Sequence, residues 1–540
     1  MSLPIPRAPQ EARQQLHTIY DAGIASGAIE PFVYPSGAFA SLVVITYLLI
    51  DHRNRPLLRF ARFVVWAYNA YFAAYCILYT RARNMSTSYC VGLVSMWSIF
   101  WCYTILIAND AQADFQRMER TEGVYRGQSA KRAKGQDHSN GSLESPSESK
   151  DSASRTDKLG DTASPRERTG GYAWQPYPLS PFIERLDWVA DIFSNFRGIA
   201  WNWKSIPNLP APPPSIQSQL HSTSGTSIPL KSPQPSRDNL RRHQTKRELL
   251  SSNLQRSLGC YLLVDVLKTY CMHDRYFWGI AAIDSPIPYL PSFLNNLPAL
   301  PRALRLAVTL YAMKTMLLLI FSMAPLFFVG ALGPKAIGAR GEPWMYPDSW
   351  GSYSHVLDNG LAGWWGAWWH QIFRFAFEAP SKQILRRLSI PSKSIPGRII
   401  QLFVAFFLSG CLHASGSYTQ LGPTNPLSGP MRFFLLQPLG ILLQVFISSL
   451  FRKSGAAGRL SPRVKQLTNF VYVHCWFYYT APLLCDDFVR GGLWLFEPIP
   501  ISPLRGLGFG AEGENGWWWW GGDWVRWHEG KHWWESGIAL

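Results

Sequence analysis

Charge is scarce in this chain. Asp, Glu, Lys and Arg make up 16% of its 540 residues, against about 25% in soluble domains, so an ordinary water-soluble surface is excluded. The eight cysteines (Cys76, Cys90, Cys102, Cys260, Cys271, Cys411, Cys475 and Cys485) contain no CxxC pair, which excludes zinc-ribbon and dithiol redox readings. Most sit inside apolar runs, where Cys behaves as a small hydrophobe. Met1 to Glu30 is polar and lacks the apolar core of a signal peptide, so membrane insertion is expected to use a later segment. No internal repeat is visible, which argues against a transporter built from repeated halves. The net charge of +17 has no nucleic-acid-binding motif beside it, so no nucleic-acid partner is expected.

Apolar and aromatic residues are abundant: 47% hydrophobic, 14% aromatic, 24 Trp. The mean hydropathy of -0.05 averages apolar runs with two long polar inserts and so hides the runs. Seven segments have the length and apolarity to cross a bilayer: roughly 31–50, 63–80, 89–108, 306–332, 397–418, 431–451 and 466–485. An eighth, 259–283, carries Asp265, Lys268, His273, Asp274 and Arg275, and mid-bilayer charge is costly. The loops 51–62, 379–398 and 452–465 are basic. Basic loops prefer the cytosol, and all three fall on that side only if 259–283 crosses. The expected fold class is therefore all-α: a polytopic transmembrane helical bundle of about 8 spans with disordered cytosolic inserts and both termini lumenal.

The expected organisation has N-terminal transmembrane helices in 1–125 and a Ser/Lys/Asp/Glu-rich disordered insert in 126–170. Next come an interfacial amphipathic segment, 171–204, and a Pro/Ser-rich disordered insert, 205–250. A membrane domain, 255–500, and a Trp-rich tail, 501–540, complete the chain. Within 181–203, Ile183, Leu186, Trp188, Val189, Ile192, Phe193 and Phe196 recur at near-helical spacing, which predicts a helix lying on the membrane surface.

Two constellations carry chemistry. In Trp364-Trp365-Gly366-Ala367-Trp368-Trp369-His370-Gln371-Ile372-Phe373-Arg374, the Trp cluster suits a helix at the membrane interface. His370 and Arg374, four apart, would share one face of it. Such a pair at a basic edge suits the phosphates and thioester of coenzyme A; the alternative is an aromatic belt with an incidental His. In Phe406-Phe407-Leu408-Ser409-Gly410-Cys411-Leu412-His413, an ionisable residue lies within an apolar run, a functional signal by default. Ser409 and His413 share a face, and a neutral imidazole there suits a general base. The alternative is a His bonding a neighbouring helix. His474, beside Trp476, Tyr478 and Tyr479, is a candidate lining residue of a substrate tunnel or a bonded structural His.

The run Trp365 to Arg374 resembles the WHQ-containing motif of wax synthase-like acyltransferases of the membrane-bound O-acyltransferase superfamily. Ser409 to His413 is similar to that superfamily's intramembrane His motif. Arg197-Gly198-Ile199-Ala200-Trp201-Asn202-Trp203 resembles a segment common in fungal members. Where the family often carries a basic residue, this chain has Ala367. The resemblance covers about 180–204 and 255–500, and implies His413 as the catalytic His, with His370 and Gln371 lining the reaction chamber. It implies acyl-CoA as co-substrate, acetyl-CoA favoured, with no bound cofactor or metal. The acceptor would be a lipophilic alcohol that partitions in from the bilayer, in secondary-metabolite biosynthesis, and the chain a multi-pass protein of the endoplasmic reticulum. Trp369, Gln371, Arg374, Ser409 and His474 are then substrate- or acyl-CoA-binding candidates beside the catalytic pair His413 and His370. A wax-ester-forming fatty-acyltransferase is the alternative activity, and a polytopic transporter the alternative class.

Three decoys remain. His528-Glu529-Gly530-Lys531-His532 matches HExxH, but Gly530 weakens the required helix and an interfacial aromatic tail is the better reading. His17 to Asp21 matches HxxxD in a polar N-terminus. Cys411 beside His413 offers a thiol nucleophile that direct transfer does not need.

Overall fold

The computed structural model describes residues 4–121, 123, 171–203, 209–224, 240–455, 458, 460–521 and 525–539. The insert expected at 126–170 lies outside them. The architecture is helical. Its longer helices are α1 (Pro9–Ala25), α2 (Phe39–Leu49), α3 (Pro56–Tyr79), α4 (Met85–Cys102), α5 (Phe182–Ser194), α6 (Pro214–Ser224) and α7 (Lys246–His273). They continue with α8 (Leu300–Pro325), α9 (Ser354–Gly363), α10 (Arg374–Arg387), α11 (Ile395–Tyr418), α12 (Arg432–Lys453), α13 (Pro462–Thr480) and α14 (Pro482–Arg490).

Among the described residues, four helical stretches are long and apolar enough to cross a membrane: Met85–Ala108, Leu300–Leu332, Ile395–Tyr418 and Leu427–Lys453. They match four of the seven expected spans. α2 is apolar but short, 11 residues, because the chain before it forms two short strands, paired elsewhere, and a tight turn rather than α-helix. α3 and α13, at 24 and 19 residues, have span length, but their basic and polar residues dilute their hydropathy. The eighth segment is displaced: its helix runs 246–273, and 274–283 is a turn and loop. Thr245 caps it by accepting from the Glu248 N–H, while Glu248 accepts from the N–H of Gln244, just before the cap.

The helices start where capping chemistry places them. Ser394 and Ser461 accept from the first-turn N–H groups of α11 and α13, and a Pro lies within two residues of each, Pro396 and Pro462, in the first turn where its missing N–H costs nothing. Asn84 caps α4 through Ser86 and Thr87. α4 and α11 then pack with almost no side chain between them. A Cβ on Gly92 would lie 2.0 Å from the Ser415 carbonyl oxygen. One on Gly416 would lie 2.7 Å from the Tyr89 ring. Small residues permit this approach in membrane bundles.

Three expectations change. α5 is not merely laid on a surface. Trp188, Val189 and Ile192 are fully buried in the same core as Trp97 and Trp101. Its acidic face is also buried, with Asp187 and Asp191 2.7 and 3.4 Å from the Arg117 guanidinium. Of its large hydrophobic side chains, only Phe182, Ile183 and Leu186 stay exposed. Within 205–250, expected to be disordered, α6 forms because Ile216 and Leu220, one turn apart, bury against Tyr172 and Met345. The tail 501–540 also docks: Gly537–Ala539 pairs antiparallel with Val33–Tyr34 and with Arg526–His528, and the Arg505 guanidinium lies 3.8 Å over the Trp519 ring.

Candidate active site

All seven site candidates border one cavity of about 2010 Å³: His413, His370, Gln371, Arg374, Ser409, Trp369 and His474. α4, α8, α9, α11, α12 and α13 contribute its walls.

His413 lies on α11 with its ring stacked on Phe434, centroids 4.6 Å apart and planes within 16°. Its Nδ1 is 2.7 Å from the Tyr89 hydroxyl on α4. That bond exists because Gly92 and Gly416 bring the two backbones together. It leaves Nε2 as the nitrogen open to a ligand. Ser409, one turn earlier, borders the same cavity. Tyr89 is 324 residues from His413 in the chain, so no local motif points to it. Cys411 is not among the residues bordering the cavity.

The Trp/His segment is not one helix. α9 widens into a π-helical turn at Trp364–Trp368, a deviation frequent at functional sites. The chain leaves the helix at Trp369 and resumes at Arg374. His370 and Arg374 therefore do not share a helix face. Gln371 stitches the break. Its Nε2 donates to the Trp365 and Trp369 carbonyls, 2.8 and 2.6 Å, and its Oε1 accepts from Arg374. Arg374 is further engaged by Gly366 O and by Glu378 at 2.7 Å. Both side chains border the cavity, yet their polar groups serve the scaffold.

His370, in the gap, is surrounded by rings: Trp350, Trp369, Phe373 and Phe321, at centroid distances of 5.3 to 5.9 Å. Its Nδ1 is buried without a hydrogen-bond partner, and such groups are few in native structures. The segment 197–203 braces this region. Arg197 donates to the carbonyls of Pro347 and Asp348, 3.1 and 2.8 Å, and burial lowers its pKa to about 10. Trp203 stacks on Phe375 at 4.1 Å. Gly198, at φ +68, leaves room for the Trp203 ring, which a Cβ would meet at 2.5 Å.

His474 is at the exposed rim. Its Nδ1 is 2.7 Å from the Phe470 carbonyl and its Nε2 3.4 Å from the Tyr353 hydroxyl, so it is a bonded His that also borders the cavity. At another edge, Lys393 and Arg398, exposed cations beside the first turn of α11, border the cavity and make no ion pair among the described residues.

The decoys lie elsewhere. His528 is in a strand, and His532 stacks on Trp534 in the turn beyond, so the two do not project from one helix face. Asp21 pairs with Arg83 at 3.3 Å.

Residues 346–436, which carry both the Trp/His segment and His413, match the model of the membrane bound O-acyl transferase family. The acetyltransferase eriL of Hericium erinaceus is 28% identical over 165 residues, covering 30% of this chain and 41% of that protein. The acetyltransferase ataH of Aspergillus terreus is 29% identical over 169 residues, 30% of this chain and 52% of that one. The O-Mevalon transferase yanI of Aspergillus niger is 22% identical over 318 residues, 56% and 61% of the two chains. The matched stretches thus span less than two thirds of each of these relatives. No solved structure matches. By this segment and these relatives, the chain resembles the membrane bound O-acyltransferases, and within them fungal acetyltransferases.

Proposed function

We propose that this protein transfers an acyl group, acetyl favoured, from acyl-CoA to a hydroxyl of a lipophilic small molecule within the membrane of the endoplasmic reticulum, in secondary-metabolite biosynthesis. The observation that carries the reading is the convergence of His413 and His370 on one large cavity, inside the segment that matches the acyltransferase family.

In this mechanism His413 Nδ1–H donates to the Tyr89 oxygen, so Nε2 is the basic nitrogen. Nε2 takes the hydroxyl proton as the oxygen attacks the thioester carbonyl. The tetrahedral oxyanion collapses, the carbon–sulfur bond breaks, and the departing thiolate receives the proton from the imidazolium. The products are the ester and coenzyme A. Gln371 has no spare N–H for the oxyanion, so the donor is His370, a contribution of about 3–4 kcal/mol in one measured case. The phosphates of coenzyme A sit at Lys393 and Arg398. Along α11, His413 is 15 residues beyond Arg398, roughly 22 Å at the helical rise, a span suited to the pantetheine arm.

We place α7 as a crossing, giving eight, with both termini lumenal. The charges that made it the poorest span, Asp265 and Lys268, are buried and bonded inside the protein. Protease protection of tags in sealed microsomes checks this; tags on opposite sides mean an odd number of crossings.

Microsomes containing this chain, fed acyl-CoAs of graded length and a panel of lipophilic alcohols, are expected to form esters, fastest with acetyl-CoA. Fastest turnover with long chains selects wax-ester formation instead. Absence of any ester at high protein level removes the reading.

A further inference from the structure

Of the charges bordering the cavity that take no part in the reaction above, Lys268, Arg374 and Glu378 are paired, and one is not. Lys314 is the fifteenth residue of the 33-residue span Leu300–Leu332, near its middle, and its side chain borders the cavity. Its Nζ lies 4.8 Å from the Trp368 ring centroid and 6.0 Å from that of Trp350. Among the described residues no carboxylate or carbonyl meets it. Lys314 is part-buried; a charge withdrawn from water is ordinarily paired, and a cation at mid-span is costly. Two indole faces attract an ammonium, but a ring supplies no hydrogen-bond acceptor in the plane of an oxygen lone pair and no opposite charge.

The position of Lys314 says what completes it. Trp350 also meets the His370 ring, at 5.3 Å, so the ammonium is one indole away from the reacting end of the chamber. Trp368 stands edge-on to Tyr353, at 5.5 Å, and the Tyr353 hydroxyl meets His474. Lys314 therefore belongs to the wall formed by α8, α9 and α13. The unpaired cations suited to phosphates, Lys393 and Arg398, belong to α11 and the loop before it. Glu378 is the acid on the cavity border, and it is already paired with Arg374 and Lys382.

We infer that Lys314 binds a carboxylate on the acceptor, so that the chamber selects a lipophilic hydroxy acid over a neutral alcohol. This rests on the acyltransferase reading for the word acceptor. The ammonium donates to the carboxylate while Trp350 and Trp368 flank the aliphatic part, and the hydroxyl is left to reach His413. Acyl-CoA also carries anionic oxygens, and the experiment separates the two sources.

The protein in lipid nanodiscs is titrated with radiolabelled 12-hydroxystearate, with its methyl ester, and with coenzyme A, each corrected for partition into empty nanodiscs. The wild-type chain is expected to prefer the acid over the ester by roughly 10- to 100-fold, the range of one charge-assisted hydrogen bond. Lys314→Met keeps the apolar stem and is expected to abolish that preference, with ester and coenzyme A affinities unchanged. Lys314→Arg is expected to retain it. Equal binding of acid and ester by the wild-type chain overturns the proposal without any variant. So does a preference that survives Lys314→Met, or a loss of coenzyme A affinity in that variant, which moves the lysine to the donor side. The readout is binding, so a failure of ester formation in microsomes leaves this test standing by itself.

Discussion

Lys268 and Lys314 sit on adjacent packed helices, α7 and α8, and have opposite surroundings. Lys268 donates to the Trp494 carbonyl at 2.8 Å and lies 3.6 Å from Glu497. Glu497 is shared with Arg13 and Arg505, at 3.0 and 2.8 Å, and both arginines reach Glu514, at 3.3 and 3.4 Å. Asp265, one turn before Lys268, accepts from the Ser502 hydroxyl and the Leu504 N–H. This closed network ties α1, α7 and the segment 494–514 together. Lys314 and His370, by contrast, border the cavity with side-chain nitrogens that have no hydrogen-bond or ion-pair partner among the described residues. A charge network that is complete holds a fold together, while one left incomplete is a place for a ligand.

The sharpest break of that contrast is at His413. His413→Ala is expected to lower turnover by roughly 10² to 10⁴, the scale of general acid–base catalysis, while the protein still inserts and melts near the wild-type midpoint. Ester formation at matched protein level measures this, and near-normal turnover would sink the proposed mechanism. His413→Gln keeps the hydrogen-bonding capacity but takes no proton, and is not expected to rescue.

Arg505→Ala should do the reverse. It strips Glu497 and Glu514 of a fully buried partner, and breaking a buried ion pair costs about 3–5 kcal/mol. Thermal unfolding in detergent should show a markedly lower midpoint, with early proteolysis of the chain beyond Glu497. An unchanged midpoint would mean that the closed network does not hold the C-terminal segment.

Tyr89→Phe removes the 2.7 Å bond to His413 but keeps the edge contact with Phe488. One neutral hydrogen bond is worth about 1 kcal/mol, so turnover should fall roughly 5- to 10-fold with no change in abundance. A loss as deep as that of His413→Ala would make Tyr89 part of the proton transfer rather than its support. The smallest effect is expected at Lys382→Ala. Its pair with Glu378 is half exposed, and surface pairs contribute about 0–1 kcal/mol; a large drop in melting temperature would mean that the Arg374–Glu378 group is not the surface pair it looks.

Much of the helical layout was legible along the chain. Long apolar runs placed α11 and α13, and an imidazole isolated in an apolar run singled out His413. Three kinds of feature were not legible. The break at Trp369 cancelled the expected His370–Arg374 face, because ring packing and the Gln371 bonds to two carbonyls outweigh helical periodicity there. α6 formed in a Pro/Ser-rich stretch because two apolar residues found a tertiary surface. Asp265 and Lys268 looked prohibitive inside a helix because their partners lie some 230 residues away.

The sequence by itself determined most of the long apolar helical segments, and which few ionisable groups those segments contain. Local spacing carries that information, since burial periodicity and capping act within a few residues. Only the tertiary structure decided which of those groups are closed and which are open: Lys268 against Lys314, Gln371 against His370. The reason is physical. A buried polar group is stabilised by whatever acceptor or donor the fold brings to it, and the partners of Lys268 and His413 come from segments far away in the chain.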